Sequence, residues 1–241
     1  MAHATCRKLS YAEEAPADLR AEDICLEADH VSFTAVKNEE KVPVRVGIPG
    51  RFMVYNTLDV LGAALALGVP LAESAAVLAA VPHVKGRVEV VPTPGKDYTI
   101  LIDYAHSPDG MENVLSSVKG FAKGRTIALF GCGGDRDKTK RPKMGRVAAE
   151  IADLAVVTTD NPRTERPADI IADILPGMEG SATPYVVVED RIEAIHWAMD
   201  HAEPGDVIVL CGKGHETYQE VGHEKHHMDE REIVADYLKN A

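Results

Sequence analysis

The apolar residues in the first fifty positions form short runs separated by polar turns. Runs that are rich in β-branched residues and bounded by turn residues predict strands. The predicted strands are Ile24–Leu26, Val31–Val36 and Val42–Val46. We therefore expect these three strands to form a small antiparallel sheet at the start of the chain.

The spacing of the apolar residues becomes helical after Gly50. Leu58, Leu61 and Leu65 recur at intervals of three and four, which is typical of the buried face of a helix. Glycine and proline then divide this stretch into separate elements. The predicted elements are a helix at Val54–Leu67, a helix at Leu71–Val81 and a strand at Gly86–Val91.

The best candidate for a domain boundary is Pro92–Gly95, because its two prolines and one glycine form a stiff turn. Such a turn cannot continue a strand or a helix. We therefore predict two domains, residues 1–94 and residues 95–241.

Strands and helices alternate regularly after Tyr98. The strands are continuous apolar runs, as expected for strands covered on both faces. They are predicted at Thr99–Ile102, Thr126–Phe130, Leu154–Thr158, Tyr185–Val188 and Val207–Leu210, with helices at Met111–Phe121, Pro142–Ile151, Pro167–Leu175, Asp190–Met199 and Glu230–Leu238. This alternation predicts an α/β fold, with a doubly wound, mostly parallel sheet.

Composition narrows the classes of function. The chain is 45% hydrophobic and 27% charged, which is typical of a globular protein, and no apolar run approaches the roughly 20 residues of a membrane span. The first residues lack the apolar core of a signal peptide, so we expect a cytoplasmic protein. A net charge of −12 and only 5% aromatic residues argue against a nucleic-acid partner.

The cysteines and histidines do not have metal-site spacing. Cys6, Cys25, Cys132 and Cys211 are far apart in the sequence, so we expect neither a zinc site nor a disulfide framework. The histidine-rich segment His223–His227 is flanked by turn residues, and we interpret it as an exposed hairpin turn. We predict no metal site within this chain.

Ionisable residues gather where four of the predicted strands end. The carboxyl ends of parallel strands are where open α/β sheets bind ligands. Between Lys123 and Arg146 there are eight Lys or Arg and only two Asp, which predicts a local positive field and a small anionic ligand. The four stretches are Asp103–Asp109, Gly131–Asp137, Asp160–Arg163 and Gly212–Glu216.

Each stretch also has an ordinary structural interpretation. Ser107 or Asp109 would cap a helix, Asn161-Pro162 is a common turn former, and Arg136 would pair with a neighbouring aspartate. The glycine-rich loop has neither the G-x-G-x-x-G spacing nor the Walker pattern, and no Walker loop occurs anywhere in the chain. We expect these glycines to form a tight turn that projects Arg136 toward a carboxylate or phosphate. Asp103 is placed to accept from ribose hydroxyls.

Four motifs, in this order and spacing, resemble the Mur ligases of peptidoglycan synthesis, and in particular the members that add 2,6-diaminopimelate to UDP-MurNAc-L-Ala-D-Glu. The motifs are DYAHSPD from residue 103, GCGGDRDKTKRPKMG from residue 131, TTDNPRTE from residue 158 and GKGHETYQ from residue 212. The resemblance implies that residues 1–94 are the end of the ATP-binding central domain and residues 95–241 the C-terminal, amino-acid-binding domain. The UDP-sugar domain, the P-loop and the magnesium site would then precede Met1.

The resemblance also implies the roles of individual residues. ATP, with Mg²⁺, would be the cofactor, and meso-diaminopimelate and UDP-MurNAc-dipeptide the other small-molecule partners. The implied ATP-binding residues are Asn56, Arg87, Asp103 and His106. The implied diaminopimelate-binding residues are Arg136, Asp160, Asn161, Pro162, Arg163, Gly212 and Glu216.

Two other classes of function stay open at this point. A non-catalytic amino-acid- or nucleotide-binding module derived from such a ligase would carry the same motifs. A dinucleotide-dependent oxidoreductase is disfavoured because its glycine fingerprint is absent. We expect a monomer, and we expect no ligase turnover from this chain alone, because the P-loop and magnesium site contribute several kcal/mol each to transition-state stabilisation.

Overall fold

The computed structural model describes residues 8–13, 15–81 and 84–240. Contacts divide the chain into two compact units, Met1–Pro82 and His83–Ala241. Among the residues described, no helix is long and apolar enough to cross a membrane.

The first unit is a four-stranded sheet followed by two helices. Its strands pair in sequence order, antiparallel except for the short first pair. Apolar residues alternate toward one face, as at Val42, Val44 and Val46, and pack with Leu58 and Leu61 of the first helix. The predicted antiparallel sheet and both predicted helices are confirmed. The elements are β1 Tyr11–Ala12, β2 Leu19–Leu26, β3 Val31–Lys37, β4 Glu40–Val46, α1 Phe52–Ala66 and α2 Leu71–Ala80.

The second unit contains a six-stranded sheet in the order β5-β6-β10-β7-β8-β9. All neighbouring strands are parallel except β5, which runs antiparallel to β6. The elements are β5 Glu89–Val91, β6 Thr99–Asp103, α3 Pro108–Lys119, β7 Thr126–Phe130, α4 Arg141–Ile151, β8 Leu154–Val157, α5 Pro167–Ile174, β9 Tyr185–Val187, α6 Arg191–Asp200, β10 Val207–Cys211, β11 Tyr218–Val221, β12 Glu224–His227 and α7 Glu230–Asn240. The predicted doubly wound, mostly parallel fold is confirmed.

Every residue of the central strands β7 and β10 is buried. Ile100, Ile127 and Ile208 belong to the core on the side of α6 and α7. Helices α3, α4 and α5 pack in a second row, in which α4 contacts both of its neighbours. Continuous apolar strands therefore have helices on both faces, as their sequence predicts.

The division between the units falls earlier than the predicted boundary after residue 94. Strand β5 lies before that boundary in the sequence, yet Val90 pairs with Leu101 of β6, so β5 belongs to the sheet of the second unit. The strand is also shorter than predicted. Gly86 and Val88 have φ angles of 72° and 41°, in the left-handed region, and a strand cannot begin until the backbone has left that region.

Candidate functional site

Loops at the carboxyl ends of β6, β7, β8 and β10 surround a cleft of about 280 Å³ in the second unit. Parallel strands bring these ends to one edge of the sheet, as the sequence predicts. Tyr104, Asp137 and Lys140 also line the cleft. The predicted site residues that line it are His106, Arg136, Asp160, Asn161, Arg163, Gly212 and Glu216.

The floor of the cleft is organised by a lysine that the sequence interpretation missed. Lys213 is completely buried, and its Nζ donates to Asn161 Oδ1 at 2.7 Å and to the Tyr218 carbonyl at 2.8 Å. The same Nζ lies 3.2 Å from Asp160 Oδ1 and 3.6 Å from Glu216 Oε2. A buried lysine is rare unless it is paired, and here it joins three of the predicted site residues.

The side-chain amide of Asn161 has a fixed orientation. Its Oδ1 also accepts from the Glu220 backbone N–H at 2.9 Å, while its Nδ2 donates to Glu216 Oε2 at 3.0 Å. Because both neighbours of Oδ1 are donors, the oxygen and nitrogen of the amide cannot exchange places without losing these hydrogen bonds. Asn161 is therefore a rigid link between the β8 loop and the β10 loop.

Arg163 is held so that one edge of its guanidinium has no partner among the residues that the structure describes. Its Nε donates to Glu220 at 2.9 Å and its Nη1 to the Gly134 carbonyl at 2.8 Å. Nη2 makes no hydrogen bond to any part of the chain that the structure describes. A half-buried guanidinium that is fixed on one side and free on the other is suited to a carboxylate ligand.

The positive field predicted around the glycine-rich loop is weaker than its sequence indicates. Arg125 pairs with Asp206, and both Lys138 and Arg141 pair with Glu165. Arg136 is exposed and donates to the Asp135 carbonyl at 3.1 Å rather than pairing with a carboxylate. The cations of this stretch that line the cleft are Arg136 and Lys140.

The glycine-rich loop packs directly against the β8 loop. A Cβ added at Gly131 would lie 2.2 Å from the Thr158 carbonyl oxygen, and one at Gly134 would lie 1.9 Å from the Pro162 carbonyl oxygen. These glycines therefore allow close approach of two backbones, which agrees with the predicted tight turn. Pro162 is buried in this contact and does not line the cleft.

We expect Gly134→Ala to lower the free energy of unfolding of the second unit by about 1–3 kcal/mol, the usual cost of overpacking. Chemical denaturation monitored by fluorescence reports on this unit, since the single tryptophan, Trp197, lies in α6. Gly47→Ala is the control, because within the described part of the chain no atom other than those of its sequence neighbours lies within 4 Å of the added Cβ. Equal stability of the two variants would contradict the close packing at Gly134.

Glu165 anchors the glycine-rich loop to α4. It accepts from both Nη atoms of Arg141, at 2.8 and 3.0 Å, and from the Asp135 backbone N–H at 2.7 Å. Hydrogen bonds from Arg141 and then Lys138 hold the pKa of Glu165 well below its usual range. Neither Arg141 nor Glu165 was singled out from the sequence, because their pairing depends on the fold.

The lowered pKa of Glu165 predicts a pH-dependent contribution to stability. The contribution is fully present above the ordinary glutamate value of 4.5. It is lost progressively as pH falls from that value toward the much lower pKa of the folded state, because the unfolded chain takes up the proton first. Glu165→Gln should therefore reduce stability most at pH 7 and by a smaller amount at pH 3. Denaturation of both proteins at the two pH values tests this, and an equal loss at both would contradict it.

Of the predicted nucleotide residues in the second unit, His106 lines the cleft, whereas Arg87 and Asp103 do not. Asp103 is buried, and its two oxygens accept from the backbone N–H groups of Val88 and Ala105, each at 2.8 Å. Burial raises the pKa of Asp103, and these hydrogen bonds partly oppose that effect. Arg87 is exposed with its guanidinium 5.3 Å from the centre of the Tyr104 ring. His106 is exposed at the cleft, and Asn56 is an exposed residue of α1 in the first unit.

A second buried cation supports the cleft from below. Arg191, the first residue of α6, is fully buried and pairs with Glu230 of α7 at 2.8 Å. Its Nη2 donates to the Cys211 carbonyl at 2.9 Å, immediately before Gly212. No local sequence signal identifies this pair, since its members are far apart in the chain.

The remaining candidates have structural roles. Ser107 caps α3 by accepting from the Gly110 N–H at 3.2 Å, which explains why that helix begins earlier than predicted.

Cys132 is buried, and burial raises the pKa of its thiol to about 12. Cys211 is also buried, Cys25 is exposed, and Cys6 lies outside the described residues.

The histidine-rich segment was predicted to be an exposed hairpin turn, but only its first residue, His223, lies in the turn. Glu224–His227 form the exposed strand β12, which pairs antiparallel with β11. Within residues 8–13, 15–81 and 84–240, no three His, Cys, Asp or Glu side chains are grouped to hold a metal ion.

Comparison with known proteins gives consistent matches over nearly the whole chain. A relative from Clostridium botulinum, named UDP-N-acetylmuramoyl-L-alanyl-D-glutamate--2,6-diaminopimelate ligase, is 44% identical over 96% of this chain and 48% of its own length. A relative of the same name from Caldanaerobacter subterraneus subsp. tengcongensis is 46% identical over 95% of this chain and 47% of its own length. The chain thus spans about half the length of the curated relatives it matches.

Solved structures of the same kind of ligase also match this chain. A structure titled as a UDP-N-acetylmuramoyl-L-alanyl-D-glutamate--2,6-diaminopimelate ligase matches with a TM-score of 0.78 and 33% identity, over 96% of this chain and 47% of that chain. MurF ligase from Thermotoga maritima, solved in complex with ADP, matches with a TM-score of 0.62 at 15% identity, over 96% of this chain and 48% of that one, and shares the fold. The family described as "Mur ligase, glutamate ligase domain" matches residues 86–214, which is more than half of the chain. The chain therefore belongs to the Mur ligase family.

Proposed function

We propose that this chain is the amino-acid-binding part of an ATP-dependent ligase that joins meso-diaminopimelate to UDP-MurNAc-L-Ala-D-Glu in peptidoglycan synthesis. The names of the relatives support this reaction. The observation that carries it is the free edge of Arg163 in the same cleft as the carboxylates of Asp160 and Glu216.

The chemistry of the cleft matches that of the ligand. Diaminopimelate has an ammonium and a carboxylate at each end, so a site that binds it needs both cationic and anionic groups. Asp160 and Glu216 supply carboxylates, and Arg163 and Arg136 supply guanidiniums that bind carboxylates bidentately. Gly212 lines the cleft with a φ angle of 116°, which glycine adopts without strain. A Cβ at this position would lie 3.3 Å from Asp160 Oδ2, so the absence of a side chain leaves space beside that carboxylate.

In the proposed reaction, ATP activates the D-glutamate γ-carboxylate as an acyl phosphate, which an amine of diaminopimelate attacks. The residues described here would bind and orient that amine. Fixing the nucleophile converts an intermolecular attack into an oriented one, which is a large part of what a binding domain contributes to such a step.

Nucleotide binding by Asn56, Arg87, Asp103 and His106 stays a prediction. Arg87 and His106 are exposed and could meet an anion, whereas both oxygens of Asp103 already accept backbone N–H groups. The described residues do not form a Mg²⁺ site by themselves, so no step is assigned to the metal in this part of the enzyme. We place the reaction in the cytoplasm, where ATP is available, and we expect a monomer.

Calorimetric titration of the chain with meso-diaminopimelate tests the proposal. We expect saturable binding of one ligand per chain, with weaker binding of lysine, which lacks the second carboxylate. Absence of binding, or equal binding of both amino acids, would contradict the proposed ligand.

A further inference from the structure

Lys213 has a position that its motif does not explain. A glycine-rich loop lysine commonly reaches out to a phosphate or another anion, yet Lys213 is completely buried and lies beneath the cleft. Its ammonium has three hydrogens, and two are donated to Asn161 Oδ1 and the Tyr218 carbonyl. The remaining neighbours of the ammonium are the carboxylates of Asp160 and Glu216, at 3.2 and 3.6 Å.

The contacts of Lys213 connect separate parts of the chain. Asp160 and Asn161 follow β8, Glu216 follows β10 and Tyr218 begins β11. Asp160, Asn161 and Glu216 are all cleft residues. One buried side chain therefore fixes the relative positions of the groups that would meet the ligand.

The charge of Lys213 matters as much as its geometry. Asp160 and Glu216 lie 3.2 and 3.6 Å from the Lys213 ammonium. Without a cation between them, two carboxylates that share a partly buried site repel each other, which favours protonation of one of them. Lys213 supplies that cation, and the three groups together keep a single net negative charge. That charge suits one ammonium group of a ligand, which would otherwise have to displace a proton.

Other charged groups near this cluster do not replace Lys213. Arg191 of α6 acts on Asp160 electrostatically, but its hydrogen bonds go to Glu230 and to the Thr159 and Cys211 carbonyls. The Nε and Nη1 of Arg163 donate to Glu220 and to the Gly134 carbonyl rather than to Asp160 or Glu216. Lys140 lines the cleft and donates to the His106 carbonyl at 2.6 Å.

We propose that Lys213 is a positioning residue that keeps Asp160 and Glu216 ionised and correctly placed to receive an ammonium group of the amino-acid substrate. This inference rests on the proposed function, since it assigns the cleft to an amino acid. It extends that function because Lys213, which is buried and does not contact the substrate, would control the protonation state of Asp160 and Glu216, which do contact it.

The test compares Lys213→Met with Lys213→Arg by calorimetry with meso-diaminopimelate, in buffers of different ionisation enthalpy. Lys213→Met should weaken binding by about ten- to a hundredfold, the loss expected for hydrogen bonds to charged groups. It should also release up to about one proton per ligand bound near neutral pH, because the ammonium displaces the shared proton. Lys213→Arg keeps the positive charge. It should therefore release almost no protons when meso-diaminopimelate binds, whatever its affinity for that ligand.

Arg191→Met is the matched control, because it also removes a fully buried cation from the same unit. It should lower stability without creating proton release on ligand binding. The role proposed for Lys213 would be overturned by either of two results. One is that Arg191→Met releases as many protons on ligand binding as Lys213→Met does, and the other is that Lys213→Met releases no protons.

A measurement on the ligand-free protein separates this inference from the proposed function. Carbon NMR at neutral pH should show that Lys213→Met moves the signal of the Asp160 or the Glu216 carboxyl toward that of a protonated acid. Unchanged carboxyl signals in Lys213→Met would overturn the role of Lys213 even if the ligand binds. Failure of the unchanged chain to bind meso-diaminopimelate would instead contradict the proposed function.

If Lys213→Met does not fold, nitrogen NMR of the Lys213 ammonium in the unchanged chain decides the question. The signal of a buried, hydrogen-bonded ammonium should exchange slowly and should shift when meso-diaminopimelate is added. An ammonium signal that the ligand leaves unchanged would overturn the inference.

Discussion

Arg191→Met is expected to lower the free energy of unfolding of the second unit by about 3–5 kcal/mol, the cost of leaving a buried charge without its partner. The Arg191 and Glu230 side chains are 0% and 1% exposed, and their atoms lie 2.8 Å apart. The substitution would also leave the Cys211 carbonyl without the donor it has at 2.9 Å. Chemical denaturation monitored by Trp197 fluorescence measures the loss.

Two comparisons isolate the buried pair as the cause. Lys239→Met removes a cation from an ion pair whose side chains are 71% and 68% exposed, and exposed pairs contribute only about 0–1 kcal/mol. The double variant Arg191→Met with Glu230→Leu removes both charges and should recover much of the lost stability. A loss as small as that of Lys239→Met, or no recovery in the double variant, would contradict this account.

Arg163→Ala is expected to weaken binding of meso-diaminopimelate by about 1.5–3 kcal/mol, the range for a hydrogen bond to a charged group, with a much smaller effect on lysine. The guanidinium is fixed by Glu220 and the Gly134 carbonyl, and its Nη2 has no hydrogen-bond partner among the residues that the structure describes. A carboxylate bound there would lose its partner in the variant. Calorimetric titration of both proteins with meso-diaminopimelate and with lysine measures the change in binding free energy for each amino acid.

The control for Arg163→Ala must separate ligand binding from the anchoring of the loop. Glu220→Gln removes the charge that pairs with Arg163 Nε at 2.9 Å but keeps the guanidinium in the cleft. We expect it to preserve the preference for meso-diaminopimelate over lysine, even if affinity falls. If Arg163→Ala kept that preference, Arg163 would not determine the choice between the two amino acids.

The sequence predicted the parts of the fold that depend on local patterns. Continuous apolar runs, such as Thr126–Phe130 and Val207–Leu210, identified the parallel sheet. The shared direction of these strands placed four loops at one edge of the sheet. That convergence explains why most of the predicted diaminopimelate residues line one cleft. Both the strand pattern and the loop positions follow from short-range sequence.

The sequence did not reveal features that depend on distant partners. Lys213 and Arg191 are buried only because the fold brings Asp160 and Glu230 to them. Strand β5 was placed before the predicted domain boundary because its pairing with β6, which crosses the turn at Pro92–Gly95, cannot be seen in local sequence. The positive field was overestimated because Asp206 and Glu165, which neutralise part of it, lie outside the basic stretch.

The most direct test of the proposed binding site is a crystal structure of this chain with meso-diaminopimelate. We predict that the ligand occupies the cleft, with one carboxylate on the free edge of Arg163 and one ammonium beside Asp160 and Glu216, while Lys213 stays buried beneath it. A ligand bound outside this cleft, or bound within it without contact to Arg163 or to either carboxylate, would contradict the account.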